Sequence, residues 1–155
     1  MSIEHDIRAE RVAHLDLSAY TAVSSGTPVR AVVAQMRTAG RNCAFVVKDG
    51  ALVGIFTDRD VLRRVVDAPQ VWDVPIDQVM TPAPLSIKPE AAAAEALRLM
   101  DTQGFRNMPV VDGQGRIVGN LTHFSLIKFL SDHFAEQVYN LPPNPEQLAQ
   151  RRHGA

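Results

Sequence analysis

The chain has 155 residues, 46% of them hydrophobic and 21% charged, with a formal net charge of −1. That balance describes an ordinary globular protein of one domain, or two very small ones, with enough apolar residues for a core. The near-zero charge excludes the basic footprint of a nucleic-acid-binding domain. No apolar run approaches the ~20 residues of a membrane helix. The single Cys43 cannot close an intramolecular disulfide and suits a reducing compartment. Ser2 to Arg8 is charged and lacks the apolar core of a secretory signal. A soluble, cytoplasmic protein without nucleic-acid or membrane partners is expected.

In chain order, Glu4 to His14 reads as a helix. Thr21–Ser24 is a short extended piece, followed by a turn at Ser25-Gly26-Thr27-Pro28. Val29, Val32, Val33 and Met36 form the stripe of an amphipathic helix, with Thr27 as its N-cap and Pro28 at its first position. Gly40 ends that helix. Cys43 to Val47 reads as a buried strand, Asp49-Gly50 as a hairpin turn, and Leu52 to Phe56 as the returning strand. Thr57 then caps a helix running to Val66. Asp67 to Gln78, with Pro69 and Pro75, is an ordered linker in which Trp72 is a packing anchor.

The same order then returns. Leu85-Ser86-Ile87 is extended, a helix covers about Pro89 to Thr102, and Met108 to Val111 is a strand. A turn at Gly113-Gln114-Gly115 leads to a strand over Ile117 to Leu121 and a helix from Phe124 to about Phe134. Leu141-Pro142-Pro143-Asn144-Pro145 cannot be regular helix or central strand, which predicts an extended tail.

The chain therefore repeats itself. Gly54-Ile55-Phe56-Thr57-Asp58-Arg59-Asp60 answers Gly119-Asn120-Leu121-Thr122-His123-Phe124-Ser125, with Thr57 and Thr122 standing 65 positions apart. Upstream, Ala44-Phe45-Val46-Val47 answers Met108-Pro109-Val110-Val111. Two β-α-β-β-α units predict an α+β fold built as a pseudo-twofold pair, with clefts where the copies meet. The expected organisation is an N-terminal helical segment (1–14), repeat one (15–67), a linker (68–78), repeat two (79–135) and a C-terminal tail (136–155).

The doubled order, the Val79-Met80-Thr81-Pro82 lead-in and the recurrent Gly-x-x-Thr-x-x-(Asp) ending resemble a tandem pair of CBS (cystathionine β-synthase) domains, a Bateman module, over about residues 15–135. The resemblance implies a regulatory module that binds an adenosine nucleotide (AMP, ADP or ATP, with NAD or S-adenosylmethionine as other adenosyl ligands) in the cleft between repeats. It makes Thr57 the phosphate contact and Asp60 the ribose contact. Around them it places Asn42, Cys43 and Ile55 from repeat one, and Thr81, Ser86, Arg106, Asn107 and Met108 from the second. In the second cleft Thr122 matches, but Ser125 stands where an aspartate is expected, which implies a weaker site. The resemblance also implies a homodimer. A module without its own effector domain must signal in trans to an unidentified regulated protein.

The residues support this chemistry independently. Thr57 opens a helix, where free N–H groups and the positive dipole end favour phosphate. A carboxylate at Asp60 can accept both hydrogen bonds of a cis-diol. The competing reading is local: Thr57 and Asp60 form a capping box that satisfies the helix N-terminus. His5, His14, His123, His133 and His153 lack metal-ligand spacing, so no metal is expected, and Cys43 reads as a small buried apolar residue. There is no nucleophile-and-base arrangement, no Walker loop and no dinucleotide fingerprint, so the chain is not expected to be an enzyme. The alternative to a ligand sensor is a ligand-free interaction scaffold whose nucleotide sites have decayed, and Ser125 is the feature that favours it.

Overall fold

The computed structural model describes the backbone of residues 3–139 and the side chains of residues 5–135. Helix α1 (Ile3–Ala9) and a 3-10 turn (Val12–His14) precede repeat one. Repeat one contains β1 (Thr21–Ser24), α2 (Val29–Ala39), β2 (Cys43–Lys48), β3 (Ala51–Thr57) and a short α3 (Asp58–Asp60) that continues as a π-helical turn (Val61–Val65). Repeat two contains β4 (Thr81–Pro82), α4 (Ala93–Gln103), β5 (Asn107–Val111), β6 (Ile117–Thr122) and α5 (His123–Tyr139).

The first sheet has the order β1-β2-β3-β4, with β1 parallel to β2 and the other pairs antiparallel. The β2–β3 hairpin turns through Asp49 and Gly50, whose φ values of 51° and 80° match a type I′ turn. The second sheet is the antiparallel pair β5-β6, flanked by single bridges Ile87–Val110 and Ser18–Asn120. The extended piece expected at Leu85-Ser86-Ile87 thus contributes one bridge, not a strand.

The segment before each repeat packs into the other repeat. Val12 and Leu15 belong to the core built by Ala93, Ala96, Met100, Met108 and Leu121 of repeat two. Ile76, from the linker, and Val79, just after it, belong to the core built by Val29, Val32, Met36, Val46 and Phe56 of repeat one. Val12 and Ile76 are fully buried, each a contribution of about 1.5–3 kcal/mol. Trp72 packs at the edge of the repeat-one core, with the Arg30 guanidinium 5.6 Å from its ring centre.

This exchange explains where helices begin. Helix α4 starts at Ala93 and not near Pro89, because the carbonyls of Pro89 and Ala91 accept the N–H groups of Ala13 and Val12 at 2.9 and 3.0 Å. Those carbonyls are therefore unavailable to a helix ladder. The Ala93 N–H, otherwise an orphan of the first turn, donates to Glu10 O. Thr27 does not cap α2: its hydroxyl turns back to Ser24 O (2.6 Å), and Pro28 occupies the cap position without a side-chain bond. Helix α5 runs on to Tyr139, beyond its expected end near Phe134. The proline-rich segment from Leu141 onward lies outside the described residues. Among the described residues no helix is long and apolar enough to cross a membrane.

Two corresponding glycines admit the crossing segments. A Cβ on Gly54 would lie 2.2 Å from Met80 Sδ, and one on Gly119 would lie 2.4 Å from Leu17 Cβ and 2.7 Å from Leu17 O. The Met80 side chain can swing aside, whereas the Leu17 carbonyl is held by the Asn120 N–H at 2.8 Å. Gly119→Ala is therefore expected to destabilise the fold by about 2–3 kcal/mol and Gly54→Ala by less. Urea unfolding of the two variants beside the parent checks both the direction and the order.

Candidate functional site

A cavity of about 480 Å³ opens where the repeats meet. Repeat one supplies Ile55 and Thr57 from β3 and Asp58, Arg59, Asp60, Arg63 and Arg64 from the following helical turns. The crossing segment supplies Thr81, Pro84 and Leu85, and repeat two supplies Phe105, Arg106 and Asn107. Local sequence places these groups. Gly104 ends α4 in the left-handed conformation (φ 66°), letting the Phe105 N–H return to Met100 O at 2.9 Å and delivering Arg106 and Asn107 to the rim. Pairing of Ile55 with Thr81 between β3 and β4 brings the crossing segment to the opposite wall.

Thr57 and Asp60 form the capping arrangement. The Thr57 N–H and Oγ1 both donate to Asp60 Oδ2, at 2.9 and 3.2 Å. The Asp60 side chain is only 13% exposed, and its other oxygen, Oδ1, lies 3.9 Å from Arg64 Nε. Arg64 in turn donates through Nη1 to Val79 O at 2.7 Å. The Asp58 N–H is taken by Asn42 O at 2.9 Å. Four arginines against two aspartates leave the lining with a formal surplus of two positive charges. The guanidiniums of Arg59, Arg63 and Arg106 are exposed and have no partner among the described residues. The helix start beside them is itself capped, so the chemistry is that of an anion site built from guanidinium donors, beside an oriented carboxylate acceptor.

The corresponding cleft around repeat two is closed. Thr122 and Ser125 are each 6% exposed. Their hydroxyls lie 3.1 Å apart, the Ser125 N–H donates to Thr122 Oγ1, and Ser125 Oγ donates to Asp16 O at 2.5 Å. Asn120, fully buried at the position corresponding to Ile55, donates to Ala19 O (2.8 Å) and Asn107 Oδ1 (2.9 Å), with Cys43 Sγ at 3.4 Å. Tyr20 stacks on Phe45 with ring centres 4.9 Å apart. The segment 16–20 thus fills the space that an occupant would need.

The CBS domain family model matches the chain twice, over residues 12–67 and 76–132. The chain belongs to the CBS domain family. Arabinose 5-phosphate isomerase KdsD of Pseudomonas aeruginosa is 33% identical over 123 residues, which is 79% of this chain but 37% of that protein. The CBS pair thus spans little more than a third of that relative. Among solved structures, the cytosolic domain of the Mg2+ channel MgtE in complex with ATP superposes with a TM-score of 0.67 at 27% identity, covering 77% of this chain and 48% of that one. CBSX2 in complex with AMP superposes at 0.71 and 23% identity over 80% and 98%, a likeness of fold. The pairing of two CBS repeats, the four-stranded sheet and the smaller two-stranded sheet are those of CBS-pair proteins.

Of the residues that the sequence resemblance placed in the cleft, the CBS pair brings six together around the cavity: Ile55, Thr57, Asp60, Thr81, Arg106 and Asn107. Four lie elsewhere. Met108 is fully buried in the repeat-two core. Cys43 is fully buried beside Asn120, where desolvation, with a smaller contribution from Asp58, pushes its thiol up to about 12. Such a thiol stays protonated and unreactive. Asn42 is exposed and meets the site only through its backbone carbonyl, and Ser86 is half-buried outside the lining. Sequence reasoning missed Arg63, Arg64, Pro84, Leu85 and Phe105. For Arg63 and Arg64 a signal existed, since they follow Arg59 on one helical stretch beside the Thr57–Asp60 motif.

The closed second cleft reverses the effect that the sequence suggests for position 125. An aspartate there would set a carboxylate against the Asp16 carbonyl and lose the donated hydroxyl bond. Ser125→Asp is therefore expected to destabilise the fold by about 2–4 kcal/mol without adding a ligand site. Thermal unfolding and nucleotide stoichiometry of the variant check the two halves of that expectation.

Proposed function

We propose that this CBS pair is a regulatory module that binds one adenosine nucleotide in the open cleft and passes its occupancy to a partner protein in trans. One observation carries the reading: an oriented, nearly buried Asp60 carboxylate and a helix-opening Thr57 from one repeat share a cavity with Arg106 and Asn107 from the other. That is a carboxylate for a ribose diol beside donors for phosphate. The ATP complex of the MgtE domain, whose matched region shares 27% identity with this chain, supports the same ligand class. Asp60 serves both roles at once. Its Oδ2 completes the cap, while Oδ1, 3.9 Å from Arg64 Nε, is the acceptor left for a ligand.

Titration calorimetry tests the site. Asp60→Ala is expected to weaken the adenosine nucleotide by about 1.5–3 kcal/mol, the scale of a hydrogen bond to a charged group. Equal affinity for variant and parent would remove the assignment. A thermal-shift series with AMP, ADP, ATP, NAD and S-adenosylmethionine identifies the adenosyl class through a concentration-dependent rise in melting temperature.

The second reading, a ligand-free interaction scaffold, is favoured by the closed cleft around Ser125, and flat thermal-shift curves with every nucleotide would select it. In either reading the apolar helix face needs cover. Leu62 and Val66 are 71% and 52% exposed, and Phe124 and Ile127 are 67% and 51% exposed. These corresponding faces of the two repeats suit an isologous homodimer. Of the other apolar residues on these helices, Val65 lies in the repeat-one core with Val61 packed against it, and Phe129 packs against the repeat-two core. Light scattering at micromolar concentration is expected to give about twice the 17.0 kDa chain mass.

A further inference from the structure

We infer that the open cleft selects nucleoside di- and triphosphates over monophosphates, through Arg59 and Arg63. The inference rests on the nucleotide reading above and deepens it. Thr57, Asp60 and Arg106 suffice for a nucleoside and its first phosphate. Arg59 and Arg63 then continue the lining along the helical stretch, four residues apart, from the capped end outward. Both line the cavity, Arg59 before and Arg63 within the π turn that follows Asp60, so two cations in succession suit a chain of phosphates better than a single one.

Neither guanidinium has a partner among the described residues, and neither lining acid forms an ion pair with them. Asp60 is engaged by Thr57 and faces Arg64, and Asp58 caps the Arg59 N–H at 2.8 Å. The second repeat supplies an internal control. At the positions corresponding to Arg59, Arg63 and Arg64 it carries Phe124, Lys128 and Phe129. Of these, Lys128 lies 3.7 Å from Asp16, and Phe129 packs against the core and the His133 ring. The same helical surface in a closed cleft therefore carries no free cation among the described residues, whereas in the open cleft it carries two. Unpaired like charges held beside one another repel, so an anion long enough to reach both gains more than the first phosphate alone can collect.

Calorimetry of the full chain with AMP, ADP, ATP and inorganic tripolyphosphate, in buffer without divalent cations, tests this. ATP is expected to bind at least about tenfold more tightly than AMP, with ADP between them. Because both arginines are exposed, the gap narrows as ionic strength rises. The double variant Arg59→Gln/Arg63→Gln, whose unchanged melting temperature checks that the fold is intact, is expected to weaken ATP about tenfold and AMP by much less, bringing the two close together. AMP binding as tightly as ATP, or a variant that weakens both alike, overturns the inference and leaves the nucleotide reading standing. Tripolyphosphate matching ATP removes the nucleoside from it. Silence from all four removes the nucleotide reading itself.

Discussion

The reciprocal exchange of the segments before each repeat is the constraint on which the other features depend. Val12 and Leu15 complete the core of repeat two, while Ile76 and Val79 complete that of repeat one. Neither repeat therefore holds a full core by itself, and separating them would expose two fully buried aliphatic side chains among others, a loss of several kcal/mol. The exchange also builds the open cleft. The segment that crosses after Val79 pairs with β3, and the pairing sets Thr81 opposite Ile55. The cavity wall is a by-product of how the cores are closed, which is why its lining comes from three separated stretches of chain.

One frame gives two different clefts because a few positions break the symmetry. Where repeat one has Ile55 and Asp60, repeat two has Asn120 and Ser125. A buried amide needs partners, and the Asn120 NH2 finds them in Ala19 O and Asn107 Oδ1, holding segment 16–20 inward, while its Oδ1 stays without one among the described residues. Ser125 then secures that segment through Asp16 O. In repeat one the apolar Ile55 makes no comparable demand on the crossing segment. There, Ala83 takes a positive φ of 44°, and Pro84 and Leu85 remain at the cavity edge. Three of the four guanidiniums in the open cleft have no partner among the described residues, whereas the closed one commits its polar groups largely to backbone.

Much of this was legible in the sequence because duplication supplies a second copy of every weak signal. The helix stripe at Val29, Val32 and Met36 and the hairpin at Asp49-Gly50 gained force from their counterparts, and the pseudo-twofold pair followed. What was not legible depended on the exchange itself. Nothing local says that Pro89 and Ala91 lend their carbonyls to Ala13 and Val12, so α4 was expected to start too early. The strand at Leu85–Ile87 failed for a related reason, because most of its edge had no neighbour to pair with. Cys43 and Met108 were assigned to the cleft although they are buried. They lie at or next to the start of strands whose residues are covered on both faces, so alternation gives no indication of which side meets a ligand. Arg63 and Arg64 were missed because the resemblance carries only the motif residues, while the cavity extends along the helical stretch that follows.

That helical stretch leaves the α pattern at once. After Asp60 it widens into a π turn closed by the Val66 N–H on Val61 O at 3.0 Å, a departure often found at functional sites. Here it has a local use. Val65 remains fully buried in the repeat-one core, so the turn stays anchored, while Arg64 reaches both Asp60 Oδ1 and the Val79 carbonyl. Val79 belongs to the exchanged segment. One guanidinium therefore ties the carboxylate of the open cleft to the chain that crosses between repeats. An occupant that engages Asp60 Oδ1 competes with Arg64 for the same oxygen. Any displacement of Arg64 would then alter its hold on Val79 O, at the point where the exchanged segment leaves the core of repeat one. In the proposed reading, occupancy reaches the rest of the module through this contact, because the two repeats share their cores and the crossing segment cannot shift without changing how they meet. The exposed Leu62 and Val66 lie on the same helical stretch as Arg64, so in the proposed reading a shift of Arg64 would carry to the apolar face offered to a second chain.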